Sequence, residues 1–311
     1  MRKLGSAVLA LAFAIGVSAS VSAQPAAMAN SQAVIVYNSI PNPIPPNVAS
    51  EGPEAYAFSQ IGDGLALAGA TGGKLDTVTV VMSSWACQTG NWYSATCATT
   101  PGATYPMPIT LNVYSVVSTG TSLEGATPSP APGTLLATVT QTFALPYRPS
   151  TNSANCTGGA WYDSKVQTCF NGFAAPITFN LSSLKVSLPS QIVVGVVYNT
   201  SDYGPTPYGD STACHATTAG CFYDSLNVST DSDEGNYQAI GSVLDVDGIF
   251  VDYTLPGNSC NQSANTDVFG LDATPGCWTV YHPEIQVTAQ NLVVKGPGHG
   301  NKHHGGEGPL Y

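Results

Sequence analysis

Apolar residues in this chain recur at every second position, in short runs separated by turn-forming residues. Residues 109–114 alternate strictly, with Ile109, Leu111 and Val113 on one side and Thr110, Asn112 and Tyr114 on the other. Ile177, Phe179 and Leu181 repeat the period, as do Ile249, Val251 and Tyr253, and Ile285, Val287 and Ala289. Leu135, Ala137 and Val139 alternate against Leu136, Thr138 and Thr140, with apolar atoms on both faces. A period of two places successive side chains on opposite faces of an extended strand. Residues 192–198 form a continuous apolar run, which predicts a central strand covered on both faces; the β-branched stretch 77–82 reads similarly. Clusters of Pro, Gly, Asn and Ser lie between the runs, residues 203–209 among them. No segment past the N-terminus carries a helical period. The expected fold is therefore all-β, a β-sandwich of jelly-roll type with long disulfide-braced loops, formed by residues 34–294 as a single domain.

The N-terminus has a different pattern. Arg2 and Lys3 precede an uncharged apolar stretch, residues 4–17, and Val21-Ser22-Ala23 is a small-x-small cleavage site. This reads as a secretion signal over residues 1–23, with Gln24 as the mature start; Ala27-Met28-Ala29 is a second candidate further from the apolar stretch. About 14 apolar residues are too few to span a bilayer. Residues 24–33 are a short polar lead-in. Residues 295–311, rich in glycine and holding His299, His303 and His304, carry no apolar pattern and are expected to be disordered.

Cleavage would remove two basic residues, leaving six against 19 acidic ones, a net charge of −13; Arg148 is then the only arginine. Such a surface repels phosphate backbones and anionic lipid, which argues against nucleic-acid partners and polybasic membrane contacts. Charged residues make up 9% of the chain, against about 25% in typical soluble proteins, so Ser, Thr, Asn and Gly carry the solubility.

The chain has eight cysteines. In an oxidising compartment an even number implies disulfides. Their spacing suggests pairing of sequence neighbours: Cys87 with Cys97, Cys156 with Cys169, Cys214 with Cys221 and Cys260 with Cys277. Loops of these sizes contribute roughly 2.5–3 kcal/mol each by chain entropy. No Cys-x-x-Cys spacing is present to suggest zinc.

No nucleophile elbow and no HExxH motif occurs. His215 and His282 are the histidines outside the tail, and both read as structural. Glu51, Glu54, Glu124, Glu234 and Glu284 are the glutamates from which a glycosidase pair would have to come; Glu51 and Glu54 flank Gly52-Pro53 and read as solvated. Asp231, Asp233 and Glu234, followed by Asp245 and Asp247, offer clustered hard oxygens of the kind calcium takes, although the spacing is not that of an EF-hand. All four tryptophans lie within or beside the cysteine pairs. Trp85 and Trp278 read as packing residues against disulfides. Trp92 and Tyr93 in the first cysteine loop, Trp161 and Tyr162 in the second, and Tyr203 and Tyr208 in the Pro/Gly stretch are candidate stacking platforms for sugar rings. A flat aromatic face suits sugar C–H groups and loses little rotamer entropy on binding.

Four stretches taken together resemble uncharacterised secreted bacterial β-sandwich proteins: residues 84–87 (Ser-Trp-Ala-Cys), 198–204, 223–228 and 276–279 (Gly-Cys-Trp-Thr). The resemblance implies secretion and a sandwich fold. It implies no activity and transfers no site residue.

The sequence thus reads as a secreted, non-catalytic binding module, with extracellular glycan as the favoured ligand, calcium as a candidate cofactor and no membrane span. A structural or surface-assembly protein of the cell exterior, working through protein partners, is the alternative. A polysaccharide-acting hydrolase or lyase is the second alternative.

Overall fold

The two-residue periods resolve into sixteen strands in the computed structural model, which describes residues 33–53, 55–69, 72–200, 225–231, 239–255, 265–279 and 281–290. In chain order they begin with β1 (Val34–Asn38), β2 (Ala49–Glu51), β3 (Phe58–Ala66) and β4 (Lys74–Ser84). A long hairpin follows, β5 (Thr104–Gly120) and β6 (Ser129–Pro146). Next come a small ribbon, β7 (Trp161–Asp163) and β8 (Thr168–Phe170), and then β9 (Phe173–Asn180) and β10 (Gln191–Val197). The remaining strands are β11 (Leu226–Asp231), β12 (Ser242–Val243), β13 (Ile249–Tyr253), β14 (Gly270–Asp272), β15 (His282–Pro283) and β16 (Ile285–Gln290). The helical content among the described residues is one 3-10 turn, Ser182–Leu184.

Two seven-stranded antiparallel sheets result. One runs β1-β16-β4-β11-β15, with β2 on β11 and β9 on β4; the other runs β14-β13-β3-β10-β5-β6, with β12 on β3. Their inner faces share one core. Val78, Val80, Met82, Phe179, Ile285 and Val287 from the first sheet meet Ile61, Leu65, Ile109, Leu111, Val194 and Val196 from the second. This is a sandwich-like arrangement, in which each strand buries alternate residues between the layers.

β10 shows why its sequence is apolar throughout. It lies between β3 and β5, and Ile192, Val194 and Val196 enter the core between the sheets. Val193 points the other way, into a smaller cluster with Phe250 and Leu271 on the outer face, against which Phe269 also packs. The strand is covered on both faces, as the uninterrupted run predicts. β4 has only part of this character: Thr77 and Thr79 stay half-buried and hydrogen-bond to Thr288 and Thr178 on the neighbouring strands.

Gly62 on β3 faces Gly195 on β10. A Cβ on Gly62 would lie 1.8 Å from the Val194 carbonyl oxygen and 2.6 Å from Gly195 Cα, so backbone occupies the space a side chain would need. Gly62→Ala should therefore destabilise the protein by about 1–3 kcal/mol, as overpacking does. Chemical denaturation measures this, and a variant as stable as the parent would contradict the close approach.

Cys87 is bonded to Cys97 and Cys156 to Cys169, with Cα separations of 5.3 and 5.8 Å. Cys277 is disulfide-bonded too. Cys214, Cys221 and Cys260 lie outside the described residues.

Candidate functional site

The two described cysteine loops fold onto one another, and their tryptophans do much of the joining. Trp161 opens β7 and is only 5% exposed. Its ring packs against Phe170 and Phe173 at centroid distances of 5.4 and 5.7 Å, and its Nε1 donates to the Gly172 carbonyl at 2.8 Å. Trp161 is thus a packing residue, which corrects its reading as a ligand platform. The reason lies just past the second cysteine of its loop, where Phe170 and Phe173 supply the apolar partners that the loop itself lacks. Trp92 is half-buried, meets Trp85 edge-on at 5.0 Å and donates from Nε1 to Asn171 Oδ1 at 3.3 Å. Tyr162 is half-buried and Tyr93 is 61% exposed. Trp85 and Trp278 are buried. The aromatic residues of the loops therefore form a brace, with Tyr93 as its exposed member.

Arg148 belongs to the same brace. It is fully buried, its backbone N–H donates to the Ala86 carbonyl, and its Nη2 donates to the Gly159 carbonyl at 2.7 Å. Burial pulls its pKa down to about 10. It ties the second cysteine loop to the residue before Cys87.

The remaining predicted positions divide. Tyr203, Tyr208, Asp233 and Glu234, together with the side chain of Asp231, lie outside the described residues. Asp245 and Asp247 are close to one another through a local turn, in which the Asp247 N–H donates to Asp245 Oδ1 at 3.0 Å. Among the described residues no three His, Cys, Asp or Glu side chains gather as a metal site.

Other features were missed by sequence reasoning. The first is a groove of about 640 Å³ on the outer side of the second sheet. Phe58, Val197 and Tyr198 line it with Pro53, Pro108 and Leu255. Its polar groups come from Ser59, Thr110, Thr140, Asn199 and Thr254. Thr110 and Thr140 sit opposite each other on β5 and β6, with their Oγ1 atoms 2.7 Å apart. The Ser59 and Thr254 hydroxyls donate to the carbonyls of Asp252 and Ala57, leaving their oxygen lone pairs as acceptors. Further along the same face of β5, Asn112 donates to Gln60 Oε1, and Gln60 Nε2 donates to the Tyr114 hydroxyl. Thr110, Asn112 and Tyr114 are the outward positions of the alternating stretch 109–114, so the signal was present, but a period of two does not say which outward face is lined by neighbouring loops.

The second feature is a smaller cleft of about 320 Å³ lined by Ala49, Ser50, Glu51, Tyr56, Cys277, Trp278 and Tyr281. Glu51 ends β2, is 7% exposed and is paired with Val228 of β11. This corrects the reading of Glu51 as a solvated loop residue. Burial raises its pKa to about 7, against the opposing hydrogen bond with Tyr56.

Two further acidic groupings centre on the buried carboxylates of Asp272 and Asp63. Asp272 accepts from the Tyr253 hydroxyl at 2.5 Å, from Trp278 Nε1 at 3.0 Å and from the Thr274 hydroxyl at 2.7 Å. Burial and a hydrogen bond with Asp272 raise the pKa of Glu124. Asp272 is thus held by several donors, and the pair lines neither the groove nor the cleft. Between the sheets, Asp63 of β3 meets His282 Nδ1 at 3.1 Å, and His282 Nε2 reaches the Val246 carbonyl at 3.2 Å. Burial raises the Asp63 pKa, with His282 opposing it. His282 thereby links β15 to β3 and to the loop after β12, a structural role.

No family model matches this chain, and no curated protein or solved structure does either. Among the described residues, no helix is long and apolar enough to cross a membrane.

Proposed function

We propose that the protein is a secreted, non-catalytic binding module for neutral polyhydroxylated ligands, with extracellular glycans as the favoured class. The observation that carries this reading is the lining of the large groove. It joins aromatic and aliphatic surface to hydroxyl and amide groups, with no charged side chain among the described residues that line it. Apolar walls with a few polar groups at fixed positions are the usual make-up of a ligand site, and the volume falls in the usual range of such sites. A neutral sugar offers the complement, with C–H groups for the exposed apolar surface of Pro108 and Leu255 and hydroxyls for the Thr110–Thr140 pair. The sequence Arg2-Lys3, the apolar stretch behind it and the disulfides support an extracellular setting.

A panel of neutral glycans titrated against the mature protein tests the reading. Thr140→Trp fills the groove from the exposed face of β6 and should abolish binding without lowering Tm. Thr110→Val should weaken binding by about 1 kcal/mol, the net value of one hydrogen bond. Glycan binding that survives Thr140→Trp would move the site elsewhere.

Burial of Trp161 removes one candidate sugar platform, and surface assembly through protein contacts is the second reading. Mature protein that binds no glycan but sediments as an oligomer would support it.

A further inference from the structure

We propose that the cleft around Glu51 is a binding site for a small organic cation, a compact alkylammonium head group held between aromatic rings and one carboxylate. This inference concerns a different surface and does not rest on the groove.

The cleft is defined by an imbalance. Among the described residues its lining has one acid, three aromatic rings and no base. Glu51 is 7% exposed, and its Oε2 has no hydrogen-bond partner among the described residues. A buried carboxylate oxygen without a donor is costly, and a cation entering the cleft would supply the missing charge. The rings suit the same guest. The faces of Trp and Tyr carry negative quadrupole potential, and cages of such rings with an acid are how proteins hold quaternary ammonium groups. Trp278, 2% exposed, forms the floor of the cleft and is fixed there by its Nε1, which donates to Asp272, itself an acceptor from Tyr253 and Thr274. Tyr56 is hydrogen-bonded to the Glu51 carboxyl. Tyr281 stands 36% exposed.

Two observations separate a cation from other guests. The cleft holds about 320 Å³, at the small end of ligand sites, which suits a head group better than a polymer chain. The chain carries a formal net charge of −11, so its long-range field concentrates cations and repels anions.

Among the described residues, the groups facing Glu51 are few. β11 presents Val228 opposite it and Asn227, whose Nδ2 donates to Ser50. The turn after β2 presents Tyr56, and the segment 277–281 presents Trp278 and Tyr281, with Asp272 behind the Trp278 nitrogen. Burial brings the Glu51 carboxyl to about 7. Cation binding should therefore strengthen as pH rises through that value.

Calorimetric titration with choline, and with the neutral isostere in which carbon replaces its quaternary nitrogen, tests the proposal on the full mature protein. Saturable choline binding is expected at about pH 8, at least tenfold weaker at about pH 5.5, where Glu51 is protonated. Glu51→Gln should show the same tenfold loss at about pH 8, with circular dichroism confirming that the variant is folded. The wild-type pH series carries the test should the variant fail to fold. The isostere should not bind. Equal binding of the isostere, undiminished choline binding by folded Glu51→Gln, or no saturable choline binding at about pH 8 would each overturn the proposal.

Discussion

Replacing Trp161 with alanine should lower folding stability by about 3–5 kcal/mol, the usual loss for a buried tryptophan. The indole is 5% exposed, lies between Phe170 and Phe173, and gives its N–H to the Gly172 carbonyl. Truncation opens a cavity and leaves that carbonyl short of a donor. The second cysteine loop contributes Gly159 as the acceptor for buried Arg148, so loosening the loop also disturbs the one arginine that the mature chain would keep. Tyr93→Ala is the control: the residue is 61% exposed and the change should stay within about 0.5 kcal/mol, as surface substitutions do. Guanidinium unfolding of the two variants beside the parent measures both effects. A Trp161→Ala protein as stable as Tyr93→Ala would show that the ring is not a packing element.

Glu51→Gln should raise stability at mildly alkaline pH and leave it nearly unchanged in acid. The carboxyl moves from 4.5 to about 7 because burial penalises the charged form. Below the unfolded value both states hold the proton, and the group makes no difference. As pH rises from 4.5 to about 7 the unfolded chain loses the proton first, so the folded state loses stability over that window. Above it the full penalty of about 3 kcal/mol is present. Glutamine keeps the shape, has no charge to desolvate and removes that penalty. Asp63 and Glu124 are also raised by burial, so the variant should retain a shallower loss of stability with rising pH, and the difference between the two curves isolates Glu51. Thermal melts across this range are the measurement. Parallel curves for parent and variant would refute a buried, poised carboxyl, and a choline-dependent rise in Tm confined to the parent would join this result to the cation site.

The strands were legible because the period of two is local. Ile109, Leu111 and Val113 all face the core, and the sequence shows them as a row. The uninterrupted run in β10 was legible for the same reason, since apolar residues on both faces need cover on both faces. The site residues followed a different logic. Trp92 and Trp161 were placed in loops, and from there exposure was a fair expectation. Phe170, Phe173 and Asn171, which sit beyond the second cysteine, cover them only after the two loops fold together. Glu51 beside Gly52-Pro53 had the composition of a solvated turn. Pairing of β2 with β11, from a distant part of the chain, drew it inside.

The amino-acid sequence alone determined the all-β character, the position of seven of the strands (β4, β5, β6, β9, β10, β13 and β16) and part of the core between the sheets. Each of these follows from side chains alternating about a locally extended backbone. The tertiary structure decided which aromatic rings are covered, which acid is buried and where grooves open. Those outcomes depend on contacts between segments far apart in sequence, such as residues 49–51 with 228–230 and Glu51 with Trp278 across the cleft. Burial and the pKa of a carboxyl are properties of such neighbourhoods rather than of a local pattern, and a neighbourhood forms only when the sheets close.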